Sequence, residues 1–396
     1  MAKENMSKLE RLIQQYCPDG VEYVKLDSVA NICRGTRVVK SQLSDKGYPV
    51  YQNCLTPMGY FERSNCNAGI TFVICGGAAG NVGYTDVECW AADDCEFIIG
   101  GHQVINRYIY YYLMTKQNYL LSKVRKASIP RLSPSIIKDL EIPLPPLPVQ
   151  EEIVRILDAF TELQTELQAE LQAELQKRKQ QYNYYRDNLL SFKGRTDVEW
   201  KKLGEIASIK TGRRFVRTDI RESGVPCFHY GDIYTYYGLT ATQTKGYLDK
   251  ELAKKLRFAQ PNDVVVVCAG ENDMDIGVGV AWLGDKPAVV HDACCILHHN
   301  QSPRYISHFL RTHNYHLQMK KYVKNGKISS LPASGLAEAL IPLPSFEEQE
   351  RIAAILDRFD TLTTDLTQGL PAEIEKRRQQ YEYYRDKLLT FKRKGA

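Results

Sequence analysis

A chain of 396 residues, 43% hydrophobic and 25% charged, is long enough for two or three folded domains and has the composition of a globular protein. No apolar run approaches the roughly 20 residues of a membrane helix, and the first residues lack the apolar stretch of a secretion signal, so we expect a cytoplasmic protein without a membrane partner. The net charge of +5 is only weakly basic, and eleven scattered cysteines without a Cys-x-x-Cys pair predict reduced thiols and no metal site.

The first globular part is predicted over residues 1–141, with a short N-terminal helix around Leu12-Ile13. Its formal charge, Lys and Arg minus Asp and Glu, is +2. Two of its segments are basic: the loop after the first predicted strand, and the stretch before Ile142. Contact with bases and phosphates needs cationic side chains on loops, so both are candidate DNA contacts, although a solvated basic loop has the same composition. The candidates are Arg34, Arg37, Lys40, Lys123, Arg125, Lys126 and Arg131.

A helical unit follows over residues 142–193, with a formal charge of −2. The Ile-Pro-Leu-Pro motif at 142–145 cannot be helical, but no proline or glycine occurs between Pro148 and Gly194, and apolar residues recur at helical spacing. The pattern predicts one helix from about 150 to 192, roughly 64 Å long at 1.5 Å per residue. So long a helix must pack along another long helix, and the duplicate unit at 341–392 is the expected partner. The expected interface residues are Leu163, Leu167, Leu171, Leu175, Tyr182, Tyr185, Arg186 and Leu189.

Inside this helix stands a tandem of four-residue units over residues 161–176, Thr-Glu-Leu-Gln twice and then Ala-Glu-Leu-Gln twice. Each unit adds about 6 Å of length and about 40° of rotation to a helix. A solvated face rich in Ala, Glu and Gln would explain the composition but not the tandem. We therefore interpret the units as a device that sets a distance.

The second globular part, residues 194–340, carries a formal charge of +5. It matches the first part faintly, with Gly212 in the place of Gly35, and it has roughly 22 extra residues between positions 229 and 280. Basic segments recur at the same two places, and the extra residues are rich in tyrosine, which suits either groove contact or ordinary packing. The candidate DNA contacts are Arg213, Arg214, Arg217, Tyr230, Lys320, Lys324 and Lys327.

Residues 341–396 repeat the helical unit without net charge, and 30 of 52 positions are identical between 142–193 and 341–392. Gly369-Leu370-Pro371 predicts a break in this copy that the first copy lacks. The chain is therefore predicted to be mixed α/β (α+β), with two globular domains, two long antiparallel, coiled-coil-like helical units and a pseudo-two-fold internal repeat. The recurring interface residues are Tyr381, Tyr384, Arg385 and Leu388.

Motifs for DNA chemistry are missing from the sequence. Adenine methylation would need an Asn/Asp-Pro-Pro-Tyr/Phe loop, which does not occur. A nuclease would need a Pro-Asp…Asp/Glu-x-Lys arrangement for metal-assisted hydrolysis, but after Pro18-Asp19 the spacing from Glu22 to Lys25 is one residue too long. We expect neither a catalytic residue nor a bound cofactor on this chain.

Two motifs, Ile-Pro-Leu-Pro…Gln-Glu-x-Ile…Leu-Asp-x-Phe and Gln-Gln-Tyr-x-Tyr-Tyr-Arg-Asp-x-Leu-Leu-x-Phe, each occur twice, after each variable domain. This pattern, which covers nearly the whole chain, resembles the specificity (S) subunit of type I restriction–modification enzymes. The resemblance implies that each globular domain is a target recognition domain for one half of a bipartite double-stranded DNA site. It also implies that the helical units form the spacer between the domains and dock two methyltransferase (M) subunits, which restriction (R) subunits join.

On this resemblance, the chain would be the non-catalytic subunit of an adenine-methylating and ATP-dependent DNA-cleaving complex. S-adenosylmethionine, Mg and ATP would then be bound by the partner subunits. The alternative is a helical scaffold or interaction protein whose domains do not bind DNA. Failure of the purified protein to bind DNA, even together with a cognate methyltransferase, would favour that alternative.

Overall fold

The computed structural model describes residues 6–270, 276–324, 326, 328–364 and 369–395. Chain packing divides the protein into two compact units, Met1–Ala169 with Glu375–Ala396 (unit 1) and Glu170–Ile374 (unit 2). Each unit therefore combines one globular part with portions of both helical segments. The fold is mixed α/β, as the sequence predicts.

Unit 1 alternates short helices with strands before it reaches the long helix. In chain order its elements are α1 (Lys8–Tyr16), β1 (Tyr23–Lys25), α2 (Leu26–Val29), β2 (Ala30–Arg34), β3 (Tyr48–Tyr51), β4 (Tyr60–Phe61), β5 (Ile70–Ile74), β6 (Val82–Thr85), β7 (Trp90–Ala91), β8 (Cys95–Gly100), α3 (Asn106–Thr115), α4 (Gln117–Ser122), α5 (Pro134–Lys138), β9 (Glu141–Pro143) and α6 (Leu147–Leu189), which continues into unit 2.

Unit 2 follows the same plan. Its elements are β10 (Glu199–Lys202), α7 (Leu203–Ile206), β11 (Ala207–Thr211), β12 (Val225–Phe228), α8 (Tyr230–Thr235), β13 (Thr240–Ala241), β14 (Gly246–Leu248), α9 (Lys250–Ala253), β15 (Phe258–Ala259), β16 (Val264–Val267), β17 (Ala269–Gly270), β18 (Gly279–Trp282), β19 (Ala288–Val290), β20 (Cys294–His299), α10 (Pro303–Phe309), α11 (His313–Met319), β21 (Ser329–Ser330), α12 (Ala333–Ala337), β22 (Leu340–Leu343), α13 (Phe346–Thr364) and α14 (Leu370–Leu388), which ends in unit 1.

The same central sheet is built in both units. Strand order β2-β8-β5-β6 in unit 1 is matched by β11-β20-β16-β18 in unit 2, where β13 adds a fifth strand. A second sheet contains the parallel pair β3–β7 in unit 1 and β12–β19 in unit 2. Each globular part ends on a strand of the Ile-Pro-Leu-Pro motif, which pairs back on the part's first strand (β1 with β9, β10 with β22). The internal repeat is thus a repeat of topology, and much of the extra sequence of unit 2 forms α8, β13, α9 and β15.

The first helical segment is one helix of 43 residues, about 64 Å long at 1.5 Å per residue. The chain leaves it through Phe192 and Gly194, whose φ angles of 46° and 80° do not continue a helix. In the second segment α13 ends at Thr364 and α14 begins at Leu370, with Pro371 in the first turn, where its missing N–H costs little. The interruption predicted for the second copy is therefore confirmed. In the described part of the chain, no helix has the combination of length and apolar character that crossing a membrane requires.

The two hydrophobic cores use equivalent residues of the repeat. In unit 1, Tyr108 and Leu157 are fully buried, as are Tyr305 and Leu356 in unit 2. Where unit 2 buries Leu190 at the end of α6, unit 1 buries Leu389 from the other end of the chain. Helix α1 packs on the same core beside Leu389.

The segments around Val21 and Lys392 pair within unit 1. The Val21 amide donates to the Lys392 carbonyl at 2.8 Å, and the Lys394 amide donates to the Val21 carbonyl at 3.0 Å. In unit 2 the corresponding connection between α6 and β10 is covalent, since the chain runs directly from one to the other. In unit 1 the hydrogen bonds at Val21 therefore connect the end of the helical segment to the globular part, a connection that the continuous chain makes in unit 2.

Candidate nucleic-acid interface

In each unit a glycine fixes the start of the basic loop that follows the first strand of the central sheet. The Gly35 amide donates to the Cys95 carbonyl at 3.2 Å, and the Gly212 amide donates to the Cys294 carbonyl at 2.9 Å. A Cβ at Gly35 would stand 2.2 Å from the Ala92 carbonyl oxygen, and one at Gly212 would stand 2.2 Å from the His291 carbonyl oxygen. No side chain fits at either place, so both loops leave their sheets with the same close backbone approach.

Both loops then turn one apolar side chain inward and their basic side chains outward. Val38 and Phe215 are each 3% exposed, in small clusters that include Phe61 and Leu248, respectively. A short 3₁₀ turn follows in each loop, at Lys40–Gln42 and at Arg217–Asp219. The structure exposes all the predicted basic residues of these loops, namely Arg34, Arg37, Lys40, Arg213, Arg214 and Arg217.

In unit 1 the second basic segment lies next to the first. Arg34 Nε donates to the Asp93 carbonyl at 2.8 Å, and Arg131 forms an ion pair of 3.0 Å with Asp94. Arg125 and Arg131 pair through their backbones, which fixes the segment between them as a turn. Arg34 and Arg131 therefore flank the two aspartates that precede β8. Of the other predicted residues, Lys123 ends α4 and Lys126 is exposed in the same turn.

In unit 2 the second basic segment reaches the same end of the sheet, as two backbone hydrogen bonds show. The Leu331 amide donates to the Cys268 carbonyl at 2.8 Å, and the Cys268 amide donates to the Ala293 carbonyl at 2.8 Å, beside the start of β20. Lys324 pairs with Ser330 and is held at this end. Lys320 instead lines a cavity with Arg186 and Arg311, and Lys327 lies outside the described residues.

Unit 2 adds a cluster of aromatic and imidazole rings beside its loop. His229 and His291 lie 4.8 Å apart between ring centroids, and the Tyr230 ring is 4.7 Å from His229. Burial, and then the charge of His291, lower the pKa of His229; burial also lowers the pKa of His291. Both rings are therefore neutral at pH 7, and a neutral imidazole can both donate and accept a hydrogen bond.

A buried carboxylate orders the cations around that cluster. Asp232, whose side chain is 7% exposed, lies 3.5 Å from Arg217 and 3.2 Å from Lys245. Sequence reasoning singled out Tyr230 but missed His229, His291 and Asp232. The available signal was the repeat, because His229-Tyr230 follow β12 as Gln52-Asn53 follow β3, which places polar pairs at equivalent positions.

A duplicated set of polar contacts joins each globular part to its helix. Gln150 accepts from the Ile105 amide at 3.0 Å, and its counterpart Gln349 accepts from the Ser302 amide at 3.1 Å. Two turns further along α6 in unit 1, Asp158 forms an ion pair with Arg107 at 2.8 Å.

In unit 2 the counterpart ion pair joins Arg304 to Asp357 at 2.9 Å. Tyr111 donates to Asp158 at 2.5 Å, whereas a histidine, His308, lies 2.9 Å from Asp357. The globular parts are thus held to their helices by the same polar residues in both units, except that a tyrosine in one is replaced by a histidine in the other.

Most of the predicted interface residues pack inside their own unit. Tyr182 is bonded to His308 at 3.0 Å and Tyr381 to Thr161 at 2.8 Å, and burial raises the pKa of Tyr182 to about 12. The Tyr185 ring stacks on Phe359 at 5.4 Å between centroids. Arg186 and Arg385 are each buried and paired with the aspartate that follows them.

The remaining predicted interface residues are apolar or line a groove. Leu189 and Leu388 pack against the cores of units 2 and 1. Leu163, Leu167 and Tyr384 line one shallow groove of unit 1. Leu171 and Leu175 are half-buried.

Two tyrosines at matching positions of the repeat point away from their units. Tyr184 is 65% exposed and Tyr383 is 61% exposed, and each ring contacts its neighbouring tyrosine edge-on. Sequence periodicity places both off the apolar stripe and therefore does not single them out. Among the described residues, His, Cys, Asp and Glu nowhere form a group of three or more that could hold a metal ion.

The chain matches one family of known proteins twice. The family described as type I restriction modification DNA specificity domain matches residues 18–177 and 196–376. A putative type I restriction enzyme specificity subunit of Haemophilus influenzae is 31% identical over 98% of this chain and 100% of its own length. The EcoR124I/EcoR124II specificity subunit of Escherichia coli is 35% identical over 73% of this chain and 72% of its own length.

A solved structure supports the fold. One chain from a study of complex assembly and conformational transition of the type I R-M system superposes with a TM-score of 0.67, over 94% of this chain and 98% of that chain. Its sequence identity is 16%, so this likeness speaks for the architecture alone.

Proposed function

This chain belongs to the type I restriction–modification DNA specificity family, and we propose that each of its two units reads one half of a bipartite double-stranded DNA site. As a member of that family, it is the non-catalytic specificity subunit of a type I restriction–modification system, with two target recognition domains. DNA and the other subunits of such a system are therefore its partners.

One observation carries the assignment of the reading surface. In both units residues of two basic segments, far apart in sequence, lie at the same end of the central sheet, beside the glycine that fixes the loop, and in unit 2 the second segment contributes Lys324. Cations on neighbouring loops can contact phosphates of one duplex while the polar groups between them reach base edges. The proposed readers are the basic loop residues of each unit, with His229, Tyr230 and His291 added in unit 2.

The division of labour along the chain follows the four segments of the sequence. Residues 1–141 and 194–340 are the proposed recognition domains, and residues 142–193 and 341–396 are the proposed antiparallel spacer. Two readers on a stiff spacer select half-sites at a fixed separation, because helical length sets both distance and rotation. Tyr184 and Tyr383, at equivalent positions, are proposed as anchors for two methyltransferase subunits, since exposed tyrosines are typical of interface hot spots.

The chemistry belongs to the partners in this proposal. Adenine methylation with S-adenosylmethionine, and cleavage that uses ATP and Mg, would take place on methyltransferase and restriction subunits, in the cytoplasm where the DNA lies. This chain would determine only which DNA sequence is recognised and how far apart the two half-sites lie.

The decisive experiment maps N6-methyladenine in host DNA with and without this gene. We expect one bipartite motif to lose methylation when the gene is deleted and to regain it on complementation. Unchanged methylation, together with failure of the reconstituted complex to bind DNA, would overturn the proposal in favour of a scaffold that does not bind DNA.

A further inference from the structure

Unit 2 carries a polar cleft on the face of its central sheet, separate from the two basic segments. The cleft has a volume of about 440 Å³ and is lined by strands β11 and β20 and by the segment around β15. Its polar lining consists of Ser208, Lys210, Arg257, Gln260, Asp263 and His298. We call it the β11 cleft.

A buried carboxylate fixes the histidine of the cleft. His298 Nδ1 lies 2.7 Å from Asp263 Oδ1, and Asp263 Oδ2 accepts from the Gln260 amide at 2.7 Å. The Asp263 side chain is 3% exposed, while that of His298 is 67% exposed. Because Nδ1 donates to the aspartate, Nε2 on the opposite edge of the ring is left for a ligand, and it donates to an anion when the ring carries both protons.

Two cations share the cleft with this histidine. Arg257 donates to the Thr211 carbonyl at 2.5 Å, which ties its guanidinium to the base of the basic loop. Among the described residues its other N–H groups have no hydrogen-bond acceptor. Lys210 lies on the same face of β11 as Ser208, which pairs with His298 on the neighbouring strand β20. Within the described ranges, neither Lys210 nor Arg257 forms an ion pair with a carboxylate. The one acidic group of the cleft, Asp263, already accepts two hydrogen bonds.

A ligand for this lining must be an anion that accepts several hydrogen bonds at once. Lysine, arginine, serine and a protonated imidazole are donors that protein sites present to phosphate oxygens. We propose that the β11 cleft binds a phosphate group, in addition to any contact made by the loops. If the phosphate group belongs to the DNA backbone, the inference rests on the proposed function. The same group could instead come from free phosphate or from a phosphorylated small molecule.

The equivalent strands of unit 1 also line a cleft, but the cationic lining of the β11 cleft is not repeated at its matching positions. Asn31 pairs with Ile99 where Ser208 pairs with His298, and Cys33 stands at the place of Lys210. Arg257 lies in the part of unit 2 that has no equivalent in the shorter first domain. The proposed phosphate contact therefore belongs to one recognition domain.

The test compares the wild type with Lys210→Gln in the complex assembled with its methyltransferase subunits. Lys210 is exposed and makes no ion pair in the described chain, so the substitution removes a charge and leaves the fold intact. Lys286→Gln, in the exposed turn between β18 and β19, is the matched control. For a DNA phosphate we expect Lys210→Gln to weaken cognate and near-cognate binding alike and to reduce the salt slope by about 1.

A second measurement locates the phosphate. Neutral methylphosphonate linkages placed singly along each half-site weaken wild-type binding where a phosphate is contacted. At one position, in one half-site only, the methylphosphonate is expected to weaken binding of the wild-type complex but not that of the Lys210→Gln complex. His298→Gln, which keeps a polar group, is expected to lose the same linkage effect.

The free-phosphate source is tested with inorganic phosphate, followed by NMR of the histidine ring protons. Saturable shifts of His298 that Lys210→Gln abolishes, with unchanged DNA binding, would assign the cleft to a free phosphate. Wild-type behaviour of Lys210→Gln in both assays would overturn the proposal. Absence of specific DNA binding by the wild-type complex would instead overturn the proposed function, while the phosphate titration would still decide the role of the cleft.

Discussion

Replacing Gly212 with alanine should displace the basic loop of unit 2 from its position at the end of the sheet without unfolding the unit. The new Cβ would stand 2.2 Å from the His291 carbonyl oxygen and 2.4 Å from that of Val290, so it falls about 1 Å short of an ordinary contact. Both neighbours are backbone atoms at the end of the central sheet and cannot rotate away. The loop must therefore move, and it loses the hydrogen bonds that the amides of Gly212 and Arg213 make at 2.9 and 3.0 Å.

The expected size of the effect follows from those two hydrogen bonds. Each contributes about 1 kcal/mol net, so the seated loop loses about 2 kcal/mol relative to displaced conformations. At about 1.4 kcal/mol per tenfold, the equilibrium shifts roughly 30-fold. If Arg213 and Arg214 contact DNA from this loop, affinity for the cognate site should fall by about ten- to a hundred-fold.

The assay is DNA binding and methylation by the assembled complex on substrates altered in one half-site at a time. Gly212→Ala should relax discrimination at one half-site, and Gly35→Ala, which meets the Ala92 carbonyl at the same 2.2 Å, should relax it at the other. Gly238→Ala is the silent control, because a Cβ there would meet no described atom within 4 Å. If Gly212→Ala left affinity and discrimination at both half-sites equal to wild type, the glycine would not position a reading loop.

Three further predictions concern the helices and their attachment. Deleting Ala173–Gln176 removes about 6 Å and about 40° of helix, close to the twist of one base pair, so methylome mapping should show a gap about one pair shorter; an unchanged gap would refute the spacer role. Tyr184→Ala and Tyr383→Ala should each weaken binding of one methyltransferase subunit by at least tenfold in sedimentation experiments while the melting temperature stays unchanged, and normal assembly of both variants would exclude these anchors. Burial lowers the pKa of His308 below its ordinary value of about 6.5, so the unfolded chain binds a proton at this residue more readily than the folded protein does. The stability that the neutral His308 contributes is therefore complete above about pH 6.5 and is lost as the pH falls below it. Hydrogen exchange should show unit 2 losing protection between pH 7.5 and 5.5, and His308→Tyr, which installs the residue found in unit 1, should lose less.

The repeat is the part of the structure that the sequence predicts best. An alignment of the chain with itself locates equivalent positions, and it places Gly35 and Gly212 at the start of equivalent loops, where their backbone contacts match. Helical periodicity, with the absence of proline and glycine, predicts the long α6 to within three residues at either end. Gly369-Leu370-Pro371 predicts the interruption between α13 and α14 because proline and glycine act locally.

The partners of the polar residues could not be predicted in the same way. Asp158 is bonded to Arg107 and Tyr111, which lie 51 and 47 residues earlier, and periodicity carries no information at such separations. The spacing of Tyr182 predicts a helix interface, but its hydroxyl is bonded to His308, 126 residues away in the globular part. These pairs depend on how a globular part is placed on its helix, which is a property of the packed unit.

The difference between backbone and side-chain contacts explains how two copies share a frame and still differ in what they read. The loops start from hydrogen bonds between backbone groups and from glycines that exclude any side chain, so the identities of Arg37 or Arg214 do not enter the interactions that hold the loop. The attachment to the helix depends on side chains such as Asp158 and Asp357, and changing one of these leaves a partner uncompensated. Substitution in the loops should therefore change the recognised sequence at little cost in stability, whereas substitution in the attachment should cost stability without changing the sequence. Exchanging residues 36–37 and 39–40 for 213–214 and 216–217, with the buried Val38 and Phe215 left in place, would separate these effects. The melting temperature should then stay near that of the wild type while the recognised half-site changes.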